Sequence, residues 1–220
     1  SITAPIWYTK TTAVSNPVIT VGSITDFGKV QKNTTSSEKT YTVSATGLSG
    51  NLNVTVPSPF QISLNSGTGF SSSITLAPYA SGAVSTTIIY VRFAPTGLNV
   101  YSGNITHASS GATSKNVAVG GTSYITASAC NSYLWNGVTH TTSGDKIYNT
   151  IGSGGLDSVA TLRLTINNST SQNLSQTSCG NYLWNGNTYS VSGTYAWTGT
   201  NAVGCDSTVN LTLTIKQNTT

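Results

Sequence analysis

The octapeptide CNSYLWNG, which starts at Cys130, is rewritten as CGNYLWNG from Cys179, 49 residues later (179 − 130 = 49). At that offset residues 130–166 and 179–215 align without a gap, and 16 of the 37 positions are identical. Among them are Tyr133/Tyr182, Trp135/Trp184, Asn136/Asn185, Gly137/Gly186, Ser143/Ser192, Gly144/Gly193 and Asp157/Asp206. A gapless repeat of constant period marks a duplicated structural unit, so whatever one copy folds into the other must match. Each copy has Asn-Gly directly after its Tyr-Leu-Trp stretch, the strongest short hairpin signal. Each closes on an alternating strand, LRLTI at 162–166 and LTLTI at 211–215. A small antiparallel unit of four or five strands is therefore expected twice, with NNSTSQNLSQTS at 167–178 as the join.

The rest of the chain is also written in strands. Apolar residues alternate at Tyr41, Val43 and Ala45, at Leu52, Val54 and Val56, at Phe60, Ile62 and Leu64, and at Ile89, Val91 and Phe93. Period-two alternation places each set on one sheet face. Gly, Pro, Asn and Ser interrupt the runs at short intervals, the spacing of an all-β sandwich. Residues 17–122 hold eight or nine such runs, enough for one immunoglobulin-like β-sandwich of about 100 residues. The expected fold class is all-β: that sandwich at 17–122, then two small repeat modules at 123–169 and 170–220 in a rod-like array. Residues 1–16 are expected to end a preceding unit or add a strand.

Composition excludes some roles. Charged residues make up 6% of the chain, against roughly 25% in ordinary soluble domains, so hydroxyls and amides wet the surface. The net charge is +4 with no basic stripe, which argues against nucleic acid as a partner. No apolar run of membrane length and no lipidation motif is present. With no Met in the sequence, the chain is expected to be part of a longer one and to be anchored through its other parts.

Three cysteines in a hydroxyl-rich β-chain point to an oxidising compartment. Within the second copy Cys179 has a companion, Cys205, and in the first copy the position of Cys205 is Leu156. The expected disulfide is Cys179–Cys205, tying the first strand of its copy to the start of the last. Cys130 is then a free thiol, and Leu156 replaces sulfur by buried hydrocarbon. Such a staple contributes roughly 3–4 kcal/mol by loop entropy, comparable to the whole stability of a module of this size. Zinc is disfavoured: there is no C-x2-C pair, and His107 and His140 are remote from the cysteines.

No catalytic residues are expected, and no cofactor or metal. The five carboxylates, Asp26, Glu38, Asp145, Asp157 and Asp206, are scattered, whereas paired-acid hydrolysis needs two facing each other. His140 is Tyr189 in the second copy, which does not suit a general base. The aromatics are the better functional candidates. Tyr133 and Trp135 share one strand face, as do Tyr182 and Trp184, and Tyr189 adds a ring. They can form a ledge for stacking on sugars, or they can be the core of modules too small to spare a large side chain; the second reading carries more weight.

The run VRFAPTGLNVYSGNITHASSGATSKNVAVGGT at 91–122 resembles the end of immunoglobulin-like domains of the abnormal-spindle/hydin type. The match lies in Phe93–Pro95, Tyr101–Gly103 and Val117–Thr122. The repeat, through Cys179, Trp184, Tyr189, Tyr195, Cys205 and Ile215, is similar to short repeats of Bacteroidetes gliding-motility adhesins exported by the type IX secretion system. The first copy departs from it at His140, Lys146 and Leu156. The resemblance implies a non-catalytic adhesin or stalk at the cell surface, with a surface polysaccharide or another adhesin protein as partner. It also implies O-glycosylation at Asp-Ser motifs, with Ser158 and Ser207 as acceptors; an Asp-Ser turn opening the last strand explains the same residues. Two other functions remain, a carbohydrate-binding module using the repeat aromatics and an accessory region of a secreted hydrolase.

Overall fold

A computed structural model describes residues 16–151 and 157–217. The expectations placed on residues 1–15, on the turn at 152–155 and on Leu156 lie outside the described residues. Every regular element among these is a strand: β1 Val18–Val21, β2 Lys29–Gln31, β3 Lys39–Thr46, β4 Leu52–Thr55, β5 Phe60–Ser63, β6 Ser73–Leu76, β7 Val84–Phe93, β8 Val100–Ala108, β9 Lys115–Cys130, β10 Tyr133–Trp135, β11 Val138–His140, β12 Gly144–Ile151, β13 Asp157–Asn167, β14 Thr170–Cys179, β15 Tyr182–Trp184, β16 Asn187–Tyr189, β17 Gly193–Thr200 and β18 Asp206–Lys216. The all-β class follows from the alternation. The described residues fall into two compact units, 16–125 with 149–151 and 157–161, and 126–148 with 162–217.

The first unit is an immunoglobulin-like sandwich. One sheet has the order β1-β3-β7-β5; the other contains β9-β8-β4-β6, with β2 running parallel to β9. Alternate residues of both sheets fill one core: Tyr41, Val43 and Ala45 of β3, Leu52 and Val54 of β4, Ile89, Val91 and Phe93 of β7, Val117 and Val119 of β9. Several residues that carry the resemblance are packing residues, among them Phe93, Tyr101, Val117 and Val119. Phe93 is fully buried, stacks on Phe60 at 4.9 Å and meets Tyr101 edge-on at 5.5 Å. A Cβ at Gly121 would lie 2.8 Å from the Phe93 ring, so glycine is required there for the strand to pass. The alternation fails at one place: Leu64 is exposed, because Ser63 turns inward and its hydroxyl donates to the Thr68 carbonyl at 2.6 Å.

The elements of the two copies obey the sequence period. β10, β11, β12 and β13 each reappear 49 residues on as β15, β16, β17 and β18 (for example 133 + 49 = 182). The second copy is a three-stranded sheet, β14-β18-β17, beside the hairpin β15-β16. β17 lies antiparallel to β18, with Tyr195 opposite Leu211 and Gly193 opposite Leu213. β14, however, lies parallel to β18, with Thr170 opposite Ser207 and Cys179 opposite Lys216. The module is thus mixed, where local alternation had given an antiparallel unit. Direction between strands this far apart in sequence is not a local property.

Candidate functional site

The Asn-Gly turns form as the sequence reads. Asn136 and Gly137 have φ of 49° and 78°, Asn185 and Gly186 have 47° and 78°, the paired positive values of the two-residue hairpin turn. The register sets Tyr133 opposite His140 and Trp135 opposite Val138; in the second copy Tyr182 faces Tyr189 and Trp184 faces Asn187. Opposed residues share a face. One face of each hairpin therefore carries Tyr133, Trp135 and His140, or Tyr182, Trp184 and Tyr189, all partly buried. The other presents Leu134 or Leu183, 67% and 68% exposed. Trp135 approaches Tyr148 at 6.1 Å, and Trp184 approaches Tyr189 at 6.2 Å. Tyr189 in turn sits 4.1 Å from Tyr195. Since Tyr195 is paired with buried Leu211, the ring-bearing face of the hairpin turns toward the leucine face of its sheet. Among the described residues the fully buried apolar side chains of the copies are nonetheless Leu162, Leu164, Leu211, Leu213 and Cys205, not the tryptophans.

The cysteines pair differently from the expectation. Cys130 is bonded to Cys205, with Cα atoms 5.6 Å apart, and Cys179 is the free cysteine, exposed. The assignment of Cys179–Cys205 with Cys130 free is thereby corrected. The parallel register gives the reason. Cys179 stands beside Lys216 at the end of β18, while Cys205 immediately precedes Asp206 at its start. The strand between them is roughly 33 Å long at about 3.3 Å per residue, and a disulfide tolerates no more than about 7 Å between Cα atoms. Cys130 holds in the first copy the place that Cys179 holds in the second, where its copy ends. There the Asn131 N–H donates to the Asn167 carbonyl at 2.7 Å. From that end the chain passes through Asn168 and Ser169 into β14, beside the start of β18. The turn leading to Cys205 is seated on it: Asn201 Nδ2 donates to the Asn168 carbonyl at 2.9 Å, and Asn201 Oδ1 accepts from the Cys205 N–H at 2.9 Å. Cys205 itself is 1% exposed. The staple joins one copy to the next instead of closing a copy on itself.

Ser158 and Ser207, the first residues after the aspartates, are both partly buried. The Ser158 hydroxyl donates to the Leu98 carbonyl at 3.4 Å, and the Ser207 hydroxyl accepts from Thr170 Oγ1 at 3.0 Å. Three of the carboxylates serve separate local contacts: Asp26 accepts from the Gly28 N–H at 2.6 Å, Glu38 from Ser66 and the Gly67 N–H at 2.8 and 2.7 Å, and Asp145 from Arg163 Nε at 3.3 Å. Among the described residues no three of His, Cys, Asp and Glu gather as metal ligands would. No helix among them is long and apolar enough to cross a membrane.

One polar pair was not singled out from the sequence. Tyr41 and His107 meet inside the sandwich, hydroxyl to Nε2, at 2.7 Å, and His107 Nδ1 is 3.1 Å from the Lys115 carbonyl. Since a carbonyl only accepts, Nδ1 carries the proton and Nε2 accepts from Tyr41. Burial pushes the Tyr41 hydroxyl far above its usual range and holds His107 below 6.5. With every hydrogen-bonding atom of the pair occupied, it reads as core, not catalytic machinery. A lone His within a period-two run, inward with the apolar set, was its only sequence signal.

No family model matches the chain, and no curated protein matches it. Solved structures to which it is similar include the ASH/PapD-like domain 7 of human CEP192, at 12% identity and a TM-score of 0.31, covering 57% of this chain and 96% of that one. Another is the Bacteroides ovatus mixed-linkage glucan utilization protein SGBP-B in complex with a heptasaccharide, at 13% identity and a TM-score of 0.21, covering 91% and 70%. A third is a 1.5-MDa bacterial ice-binding adhesin, at 10% identity and a TM-score of 0.21, covering 93% and 99%.

Proposed function

We propose that this chain is a structural and adhesive segment of a large secreted cell-surface repeat protein, and that it performs no catalysis. The observation that carries the reading is the Cys130–Cys205 bond between consecutive copies. A bond between consecutive units suits a segment under tension, because tension acts on the junctions between units. The bond closes 75 residues of chain, so pulling cannot lengthen that stretch until sulfur–sulfur linkage is broken. Its presence also accords with an oxidising, extracellular setting. The low charge adds to this, since trypsin-like proteases find few sites in such a chain. The sandwich at 17–122 and modules at 123–169 and 170–220 are the units of the array in this reading. Type IX export, gliding motility and O-glycosylation of Ser158 and Ser207 rest on the sequence resemblance, and an unshifted intact mass from the native host would remove the last of these.

Single-molecule stretching of the full chain tests the mechanical role. In the oxidised protein about 27 nm of extension, 75 residues at about 3.6 Å each, should stay hidden and appear only after reductant is added. Equal extension in both states would refute it.

A second reading, carbohydrate binding, is favoured by the partly exposed hairpin rings and by Trp197, 41% exposed. Trp135→Ala and Trp184→Ala on a glycan array discriminate the two. Loss of glycan binding in folded variants supports the binding module; unchanged retention, or unfolding, leaves the structural role.

A further inference from the structure

Cys130 and Cys179 stand at equivalent strand ends in the two copies, and among the described residues only the first of them is bonded. In the first copy β9 stops at Cys130, Asn131 turns with φ 64°, and its N–H meets the Asn167 carbonyl that closes β13. In the second, β14 stops at Cys179, Gly180 turns with φ 80°, and its N–H meets the Lys216 carbonyl, 3.3 Å away, that closes β18. The first end holds the turn at 201–205: Cys205 is bonded to Cys130, Asn201 is on the Asn168 carbonyl, and Asn167 Nδ2 is 3.5 Å from the Val203 carbonyl. The second end has the cysteine, the turn and, at Gln217 (168 + 49 = 217), a backbone carbonyl in the place of that of Asn168. Its thiol is exposed and unbonded.

We infer that the Cys179 end of the second copy is the acceptor for a further unit of this repeat, whose Gly-Cys-Asp-Ser turn bonds to Cys179 as Cys205 bonds to Cys130. The inference goes beyond the adhesive reading and is independent of what the surface binds. It does not rest on an exposed thiol alone, since the duplicate cysteine at the duplicate position is seen bonded in this same chain. A second copy of the chain does not fit as the occupant, because its own Cys205 is buried and already bonded.

The chemistry is thiol–disulfide exchange with a low-molecular-weight disulfide as oxidant. The Cys179 thiolate attacks one sulfur of the oxidant and releases one small thiol. The incoming cysteine, as thiolate, then attacks the mixed disulfide at the Cys179 sulfur and releases the second. Two protein thiols are oxidised, and one small disulfide is reduced to two thiols.

The test keeps the chain whole. Residues 172–217 are appended after Thr220, which preserves the period because Ser171 and Thr220 are 49 apart (220 − 171 = 49). The appended segment carries Cys179→Ser, so that it brings one cysteine only, and Val203→Ile, so that its turn peptide has a distinct mass. After oxidation with a glutathione buffer, free thiols are counted and non-reduced peptides mapped. The unextended chain should show one free thiol per molecule; the extended chain should show none, with Cys179 linked to the marked peptide. Two free thiols in the extended chain, whether or not its added residues resist protease, would overturn the inference. So would a map in which the marked peptide is linked to Cys130.

Discussion

The sandwich and the repeats are held together by different means. Among the described residues the sandwich buries nineteen side chains in one cluster, from Ile19 to Val119. The repeat unit buries Leu162, Leu164, Leu211, Leu213 and Cys205. Four buried leucines contribute about 6–12 kcal/mol before conformational entropy is subtracted, at roughly 1.5–3 kcal/mol each. The Cys130–Cys205 loop of 75 residues contributes about 4.5 kcal/mol by the chain-entropy relation. In the sandwich one covalent link would be a minor addition; in the repeats it rivals half the hydrophobic term. By these figures the repeats, with few buried side chains, draw a large share of their stability from the bond between copies.

The comparison can be broken most directly at the staple. Cys205→Ser should destabilise the repeats by about 4 kcal/mol, seen as lost amide protection across β17 and β18 in hydrogen exchange while β3 and β7 keep theirs. If β3 and β7 lose as much protection, the difference in how the two regions are stabilised does not exist. The matching lesion in the sandwich is Phe93→Ala. The ring stacks on Phe60 and meets Tyr101, so its removal should cost about 3–4 kcal/mol in denaturant unfolding, with addition of reductant making no difference to that cost.

A smaller effect is expected at the buried polar pair. Tyr41→Phe removes the donor to His107 Nε2 and leaves a buried acceptor unsatisfied, at about 2 kcal/mol. The pair also makes the sandwich acid-sensitive. Because burial depresses the His107 pKa in the folded state, the unfolded chain binds the proton more readily. Stability is then full above the ordinary histidine value near 6.5 and falls as pH drops below it, by at most about 1.4 kcal/mol per pH unit. His107→Gln should flatten that slope in urea midpoints measured from pH 7.5 to 5. Smallest of all is Cys179→Ser, which should change the midpoint by less than about 0.5 kcal/mol. That contrast with Cys205→Ser separates a bonded cysteine from a free one within a single duplicated pattern.

Much of the fold was legible in sequence because it is local. The runs at 41–45, 52–56 and 89–93 bury the residues their alternation marks. Asn136-Gly137 and Asn185-Gly186 turn where a two-residue hairpin needs positive φ. Leu64 misled because Ser63 found a hydrogen-bond partner inside, a contact no hydropathy pattern records. Of the candidate site, the aromatic residues of each hairpin share a face, as their spacing of two dictates. That Tyr189 would lie on Tyr195 depends on how the hairpin folds back over its sheet, which spacing does not encode.

By itself the sequence determined the strands, the hairpin turns and the duplication, since each is a relation among residues a few positions apart or a repetition of one text. Which cysteines bond was decided only by tertiary structure. The repeat alignment shows that Cys130 and Cys179 are equivalent and that Cys205 has no counterpart, but it treats each copy as closed. Hydrogen bonding between β14 and β18 set the two strands parallel, carried Cys179 to the far end of its sheet, and left Cys205 beside the preceding copy. Strand direction across 37 residues of separation (207 − 170 = 37) is chosen by the whole packed unit, so the disulfide follows the fold and not the spacing.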